Sequence, residues 1–176
     1  VIGNEKTVSA LDRNFVFDYF KKVYSPENYI VTLVGKADLN KICDYLEKNF
    51  YKGGRKIEIE KIKKRNGNIV EERPGIDQAH LVFAIHAPLP ANSEFYDLLV
   101  LDSYLANGMS SKLFLEIREK RGLAYSVKSE IEAEKNYSFY TIYVGTTKER
   151  VDEVKKLILQ GFKDIEKMSE KDLEES

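Results

Sequence analysis

Apolar residues recur every three to four positions in five stretches of this chain and alternate or run together in five shorter ones, which divides it into helices and strands. The first helix is expected over residues 9–24, with Ser9 and Asp12 at its start and Leu11, Phe15, Tyr19, Phe20 and Val23 on the buried side. Residues 25–28 (SPEN) then turn the chain. Residues 29–34 form a nearly continuous apolar run rich in β-branched side chains, expected as a buried strand that Gly35 ends. Asp38 is placed to cap a helix reaching about residue 49. Its stripe of Leu39, Ile42, Cys43, Leu46 and Phe50 puts the single cysteine in a core position, as a small apolar residue rather than a nucleophile.

Beyond a connector the pattern becomes strand, strand, helix, helix, strand, strand, helix. Strands are expected over 69–73 and 79–87, separated by Pro74 and Gly75. Ser93 opens a helix to about Ala106 with Phe95, Leu98, Leu99 and Leu105 facing inward, and Asn107 and Gly108 break it. Ser110 is placed to cap the next helix, where Leu113, Phe114 and Ile117 recur at helical spacing and Gly122 supplies a left-handed stop. An alternating strand follows from Leu123, with a turn near Lys135 and Asn136. Residues 137–144 carry large groups on both faces, which predicts a central strand covered on both sides. Thr146 or Thr147 then caps a long helix through Lys167, cored by Val151, Val154, Ile158, Ile165 and Met168. The pattern predicts an α+β fold in which helices pack a mainly antiparallel sheet.

Composition narrows the function classes. With 43% hydrophobic and 11% aromatic residues, the 176-residue chain can bury a real core and is not disordered. Its 28 basic and 29 acidic residues leave no global field to attract nucleic acid or anionic lipid. The connector, residues 51–66 (YKGGRKIEIEKIKKRN), is locally basic, but no aromatic residue past Tyr51 is interleaved to stack on bases, so it reads as a solvated linker anchored by Ile57, Ile59 and Ile62. One cysteine forbids an internal disulfide, no run approaches a membrane span, and no nucleic-acid or membrane partner is expected. The compartment stays open, with a soluble cytoplasmic location favoured.

Candidate chemistry gathers in residues 108–127, GMSSKLFLEIREKRGLAYSV, where Arg118 near a helix end and Tyr125 near the next strand's start stand seven positions apart. Such a pair can stabilise an anion, because a guanidinium stays cationic and offers a planar fork, while a phenol keeps its proton at neutral pH and can donate it. Spacing alone leaves two other readings open: Arg118 as a solvated helix residue, and Tyr125 as a packed one, since it shares strand parity with Val127 and Ile131. Arg121 suits the helix dipole and receives no catalytic role. The two histidines, His80 and His86, lie on one face of the strand HLVFAIHA. Six residues of strand separate them by about 20 Å, too far to share one ion.

The string at 108–127 resembles the insulinase/pitrilysin group of zinc peptidases, which includes the mitochondrial processing peptidases, and the resemblance runs on through residues 24–50 (YSPENYIVTLVGKADLNKICDYLEKNF) and from Gln78 onward. It implies that Arg118 and Tyr125 are the family's arginine and tyrosine, which project into the peptidase chamber and help hold the substrate carbonyl and its oxyanion. It also implies that residues 1–50 end one peptidase-like domain, 51–66 link, and 67–176 begin the next, which carries the Arg/Tyr pair. The family's zinc signature, an inverted H-x-x-E-H with a further glutamate downstream, is missing from these residues. Zinc is therefore expected in the parent protein or a partner, and none on this chain.

Three readings follow from the resemblance. The first, taken as the expectation, is an internal piece of a zinc-dependent endopeptidase, inactive alone, with Val1 in place of a starting Met and the truncated helix SEKDLEES at the other end. The second is a piece of a non-catalytic subunit that lends Arg118 and Tyr125 to a zinc-bearing partner; the third is a structural scaffold of the respiratory core-protein type. The implied partners are an unstructured peptide substrate and either the missing peptidase domain in cis or a zinc-bearing subunit in trans, and two facing lobes also accommodate a dimer.

Overall fold

The computed structural model describes residues 3–50, 56–58 and 62–174, and the chain divides into two units, Val1–Glu60 and Lys61–Ser176. Gly53, Gly54 and Ile59 of the expected connector lie outside the described residues.

In the first unit, Asn4 and Thr7 form a reciprocal capping box that starts a short helix, α1 (Glu5–Ser9), so Ser9 ends a helix rather than opening one. Asp12 then caps α2 (Arg13–Val23), accepting the Phe15 amide at 2.7 Å. Asp38 caps α3 (Leu39–Asn49) by accepting the amides of Asn40 and Lys41 at 3.0 and 3.3 Å. Both caps sit where the sequence puts them.

Burial does not follow the stripes. Phe15 and Tyr19 are each 61% exposed, Leu39 is 72% exposed, and α2 and α3 hold no buried residue. Cys43, expected in a core, is exposed. The expected strand at 29–34 is not formed, and Ile30 and Val34 are almost fully exposed. The cause is common to all three corrections: a strand needs ladder partners and an apolar face needs a facing surface, and the described part of this unit offers no other strand.

The second unit is built on three strands, β1 (Gln78–His86), β2 (Ala124–Ala133) and β3 (Ser138–Thr147), antiparallel and ordered β1-β3-β2. The β2–β3 hairpin closes where Glu134 N–H donates to the Tyr137 carbonyl at 2.8 Å, around the predicted Lys135–Asn136 turn. One face of the sheet is packed. There Val127, Tyr140, Ile142 and Val144 meet Leu105 of α4 (Glu94–Leu105), Leu113, Phe114 and Ile117 of the following helical segment, and Val154 and Ile158 of α5 (Val151–Asp164). A short α6 (Glu170–Glu174) follows, with Ser169 and Asp172 bonded at its start. Helices on one face of an antiparallel sheet make this the predicted α+β fold.

Several expectations in this unit need correcting. Residues 69–73 form no strand, and Ile69 is 93% exposed, for this segment pairs with neither edge of the sheet. Strand β3 is central but packed on one face only; Phe139, Thr141 and Tyr143 on the other stay half-buried. Leu99 turns outward at 44% exposure. The expected caps at Ser93 and Ser110 are not made: α4 and the segment after it have no side-chain cap bond, and Ser111 rather than Ser110 is buried, donating to the Gly108 carbonyl at 2.8 Å. Nor does either threonine cap the long helix, which begins through a 3₁₀ turn at Lys148–Arg150. Thr146 is instead spent on the Leu123 carbonyl, at 2.6 Å.

Candidate functional site

The segment that carries Arg118, Phe114–Glu119, is a π-helix, with Lys120 N–H bonded to Leu115 O five residues back at 2.9 Å. Leu113, Phe114 and Ile117 anchor it in the core, while Arg118, one turn on from Phe114, lies over that ring with 46% of its side chain exposed. The segment ends at Gly122, whose φ of +59° is the left-handed stop predicted from the sequence. Leu123 N–H returns to Ile117 O at 2.9 Å. The two carbonyls at this corner are clamped from β3 and beyond, Gly122 O by the Arg150 guanidinium and Leu123 O by the Thr146 hydroxyl. The turn between Arg118 and Tyr125 is thereby tied to β3 at Leu123 and to the 3₁₀ turn that follows β3 at Gly122.

Tyr125 does not follow simple alternation. Opposite β3, Ala124 pairs with Thr146 while Ser126 pairs with Gly145, so Tyr125 is the extra residue of a β-bulge. The bulge lifts it off the parity of Val127 and Ile131 and turns it to the unpacked face, where it is 46% exposed. Its ring lies across β3 directly over Gly145. A Cβ on Gly145 would stand 2.2 Å from Tyr125 Cζ and 2.4 Å from its hydroxyl, so only glycine leaves room there.

The Tyr125 hydroxyl is 3.2 Å from that of Tyr143, and the Tyr143 hydroxyl is 2.8 Å from Nδ1 of His80. The hydrogen bond to Tyr125, with some burial, holds the Tyr143 proton on above its ordinary range. His80 and Tyr143 rings also stack, with centroids 5.9 Å apart. Side chains from all three strands thus meet at one place on the open face, beside a shallow depression of about 840 Å³ lined by Val82, Tyr125, Lys128, Glu130, Thr141 and Tyr143.

Arg118 is 46% exposed, with its guanidinium 4.9 Å from the Phe114 ring centroid and Nε 3.8 Å from Glu119. No hydrogen bond or ion pair joins it to Tyr125. Arg121 is bound back onto its own segment, to the Glu116 carbonyl at 2.9 Å and to the Glu116 carboxylate, which also receives Lys120. Lys120 first, then Arg121, lower the Glu116 pKa. A carboxylate held low in the folded state contributes stability above the ordinary carboxylate range and loses it as pH falls through its folded pKa. Glu116→Gln is therefore expected to lower the melting temperature at neutral pH, with the gap to the parent closing as pH drops below about 4. Thermal denaturation across pH 3–7 checks this.

The histidines are not arranged for a metal. His80 is bonded to Tyr143, while His86 Nε2 lies 3.2 Å from the Arg65 carbonyl, and among the described residues no group of three or more His, Cys, Asp or Glu could hold an ion. The described residues do not fit a zinc site.

The model of the peptidase M16 inactive domain matches residues 10–176. The chain belongs to the M16 peptidase family. This is the insulinase/pitrilysin assignment that residues 108–127 suggested. A Bacillus subtilis protein described as an uncharacterized zinc protease, YmxG, is 28% identical over all of this chain. A Rickettsia felis protein described as an uncharacterized zinc protease is 30% identical over 99% of it. The chain spans less than half the length of each, 44% and 42%. Among solved structures, the M16 inactive domain of Pseudomonas fluorescens matches with a TM-score of 0.85 at 22% identity, over 98% of this chain and 43% of that one. A protease from Helicobacter pylori matches at 0.81 and 20%, over 99% and 45%. These two likenesses show the shared fold. Among the described residues no helix is long and apolar enough to cross a membrane.

Sequence reading missed Gly145, Tyr143 and the use of His80. One signal for Gly145 was available: a glycine inside an otherwise apolar, β-branched strand marks close approach of another group. Nothing local signals the bulge at Tyr125, which is defined only by the register with β3.

Proposed function

We propose that this M16 chain is an internal piece of a zinc-dependent endopeptidase, with residues 1–50 ending one peptidase-like domain, 51–66 linking, and 67–176 opening the next. Within it, Arg118 and Tyr125 hold the substrate carbonyl and the oxyanion that forms when the peptide bond is attacked. The observation that carries this reading is the placement of Tyr125: the bulge turns the phenol out of the core and Gly145 gives it a fixed seat on the open face. A packed tyrosine would have no such use for a bulge and a glycine.

The chemistry asked of the two residues is donation. As the carbonyl becomes tetrahedral its oxygen gains charge, and fixed donors aimed at that oxygen stabilise the transition state more than the ground state. The Tyr125 hydroxyl can give one hydrogen bond, and the Arg118 guanidinium can give two and neutralise charge. Neither removes a proton. The described residues do not fit zinc, so the metal belongs to the rest of the parent protein or to a zinc-bearing partner subunit. A shallow open face, rather than a deep cavity, suits an extended, unstructured peptide.

The test compares this chain with the full-length protein. The purified 176-residue chain is expected to hold no stoichiometric zinc and to cleave no peptide, whereas the full-length protein cleaves an unstructured peptide, loses that activity to a chelator and regains it with zinc. One zinc per isolated chain, or hydrolysis by it, would overturn the reading.

A further inference from the structure

We propose that His80 and Tyr143, above the floor left by Gly145, form a hydrogen-bond relay that fixes the Tyr125 phenol and turns its proton outward. The proposal rests on the reading of Tyr125 as a donor to substrate, and it assigns positioning roles to three residues that family resemblance did not single out.

Proton direction decides the matter. A phenol has one proton to give. Were Tyr125 to donate to Tyr143, it would face the substrate with lone pairs alone and repel an oxyanion. The useful polarity is the reverse: Tyr143 O–H donates to the Tyr125 oxygen across 3.2 Å, leaving the Tyr125 proton free. Tyr143 has then given its only proton, so its other neighbour must donate to it. That neighbour is Nδ1 of His80, at 2.8 Å, which therefore carries its hydrogen on that nitrogen. A hydroxyl that accepts one bond donates the next more strongly, so the relay also sharpens Tyr125 as a donor.

The strand register explains why these side chains can meet. His80 on β1 and Ser126 on β2 both pair with Gly145 on β3, and Tyr143 lies two residues earlier on the same face. With no side chain at 145, the Tyr125 ring crosses the central strand toward His80, and Tyr143 stands beside it. A methyl group at 145 would occupy the ring's place. The stacked His80 and Tyr143 rings, 26° from parallel, hold the far end of the relay.

Steady-state peptide hydrolysis by the zinc-loaded full-length protein tests the relay. Tyr143→Phe and His80→Leu are expected to lower kcat about tenfold, the weight of one hydrogen bond, with KM little changed. His80→Asn, whose amide N–H stands where Nδ1 does, recovers most of the loss. In a Tyr125→Phe background none of these changes has further effect. Equal losses in that background, parental kcat in Tyr143→Phe or His80→Leu, or failure of His80→Asn to recover activity would overturn the relay.

A crystal structure of the Gly145→Ala protein separates this inference from the reading beneath it. The Tyr125 ring is expected to leave residue 145 and break its bond to Tyr143; a ring still in place overturns the seating. Tyr125→Phe at parental activity would instead end the donor reading, while the Gly145→Ala structure still decides the seat. Should Gly145→Ala fold poorly, Tyr125→Ala added to it is expected to restore the parental melting temperature, and failure to do so counts against the seat.

Discussion

Tyr125→Phe and Arg118→Ala in the full-length protein are each expected to lower kcat/KM for an unstructured peptide by about a hundredfold, the loss typical of one oxyanion donor. The fall should lie in kcat rather than KM, because a donor that engages developing charge contributes little before the charge appears. Phenylalanine keeps the ring over Gly145 and deletes only the hydroxyl, so the Tyr125 result is free of packing changes. Arg118→Ala also gives up the contact with Phe114, whose ring lies 4.9 Å from the guanidinium. Arg118→Lys serves as its control: charge is retained, the planar fork is lost, and only partial recovery is expected. The double variant should lose less than the product of the single losses, since both donors serve one oxygen. Initial-rate kinetics with matched zinc content and melting temperatures read all four. Unchanged turnover in Arg118→Ala would remove that residue from the mechanism and leave Tyr125 to be judged by itself.

The second large effect is on stability. Ile158 of α5 is fully buried and belongs to the cluster that joins α5 to β3, the strand beneath Tyr143 and Gly145. Ile158→Ala is expected to cost about 3 kcal/mol, and Ile158→Val about 1 kcal/mol, the difference reflecting the larger cavity left by alanine. Chemical denaturation gives both values from the shift in midpoint at constant slope. A cost for Ile158→Ala below that of the valine variant would contradict the packing described for this helix.

Periodicity served well wherever the second unit is packed. Leu105, Leu113, Phe114, Ile117, Val154 and Ile158 all fall on faces that the spacing marks, and each is buried. Gly122 stops its helix with the left-handed backbone that a glycine after a basic last turn predicts. The antiparallel hairpin was legible because local alternation and turn residues constrain local pairing, and the central place of β3 because that strand carries large groups on both faces. Family membership was legible too, in a string whose residues lie close together along the chain.

What failed was everything that depends on a neighbour. The stripes at Phe15, Tyr19 and Cys43 mark a real amphipathic face, yet that face is exposed, because period identifies residues that share a side and says nothing of what covers it. The orientation of Tyr125 was hidden for a sharper reason. Parity along β2 puts it with Val127, and one extra residue against β3 turns it over, a change visible only when both strands are aligned. The meeting of Tyr125 with Gly145, Tyr143 and His80 is likewise a product of register, bringing together positions that lie far apart in the chain. Local periodicity, then, decides which elements form and which faces they own; pairing across strands decides which side chains converge, and here that convergence is the candidate site.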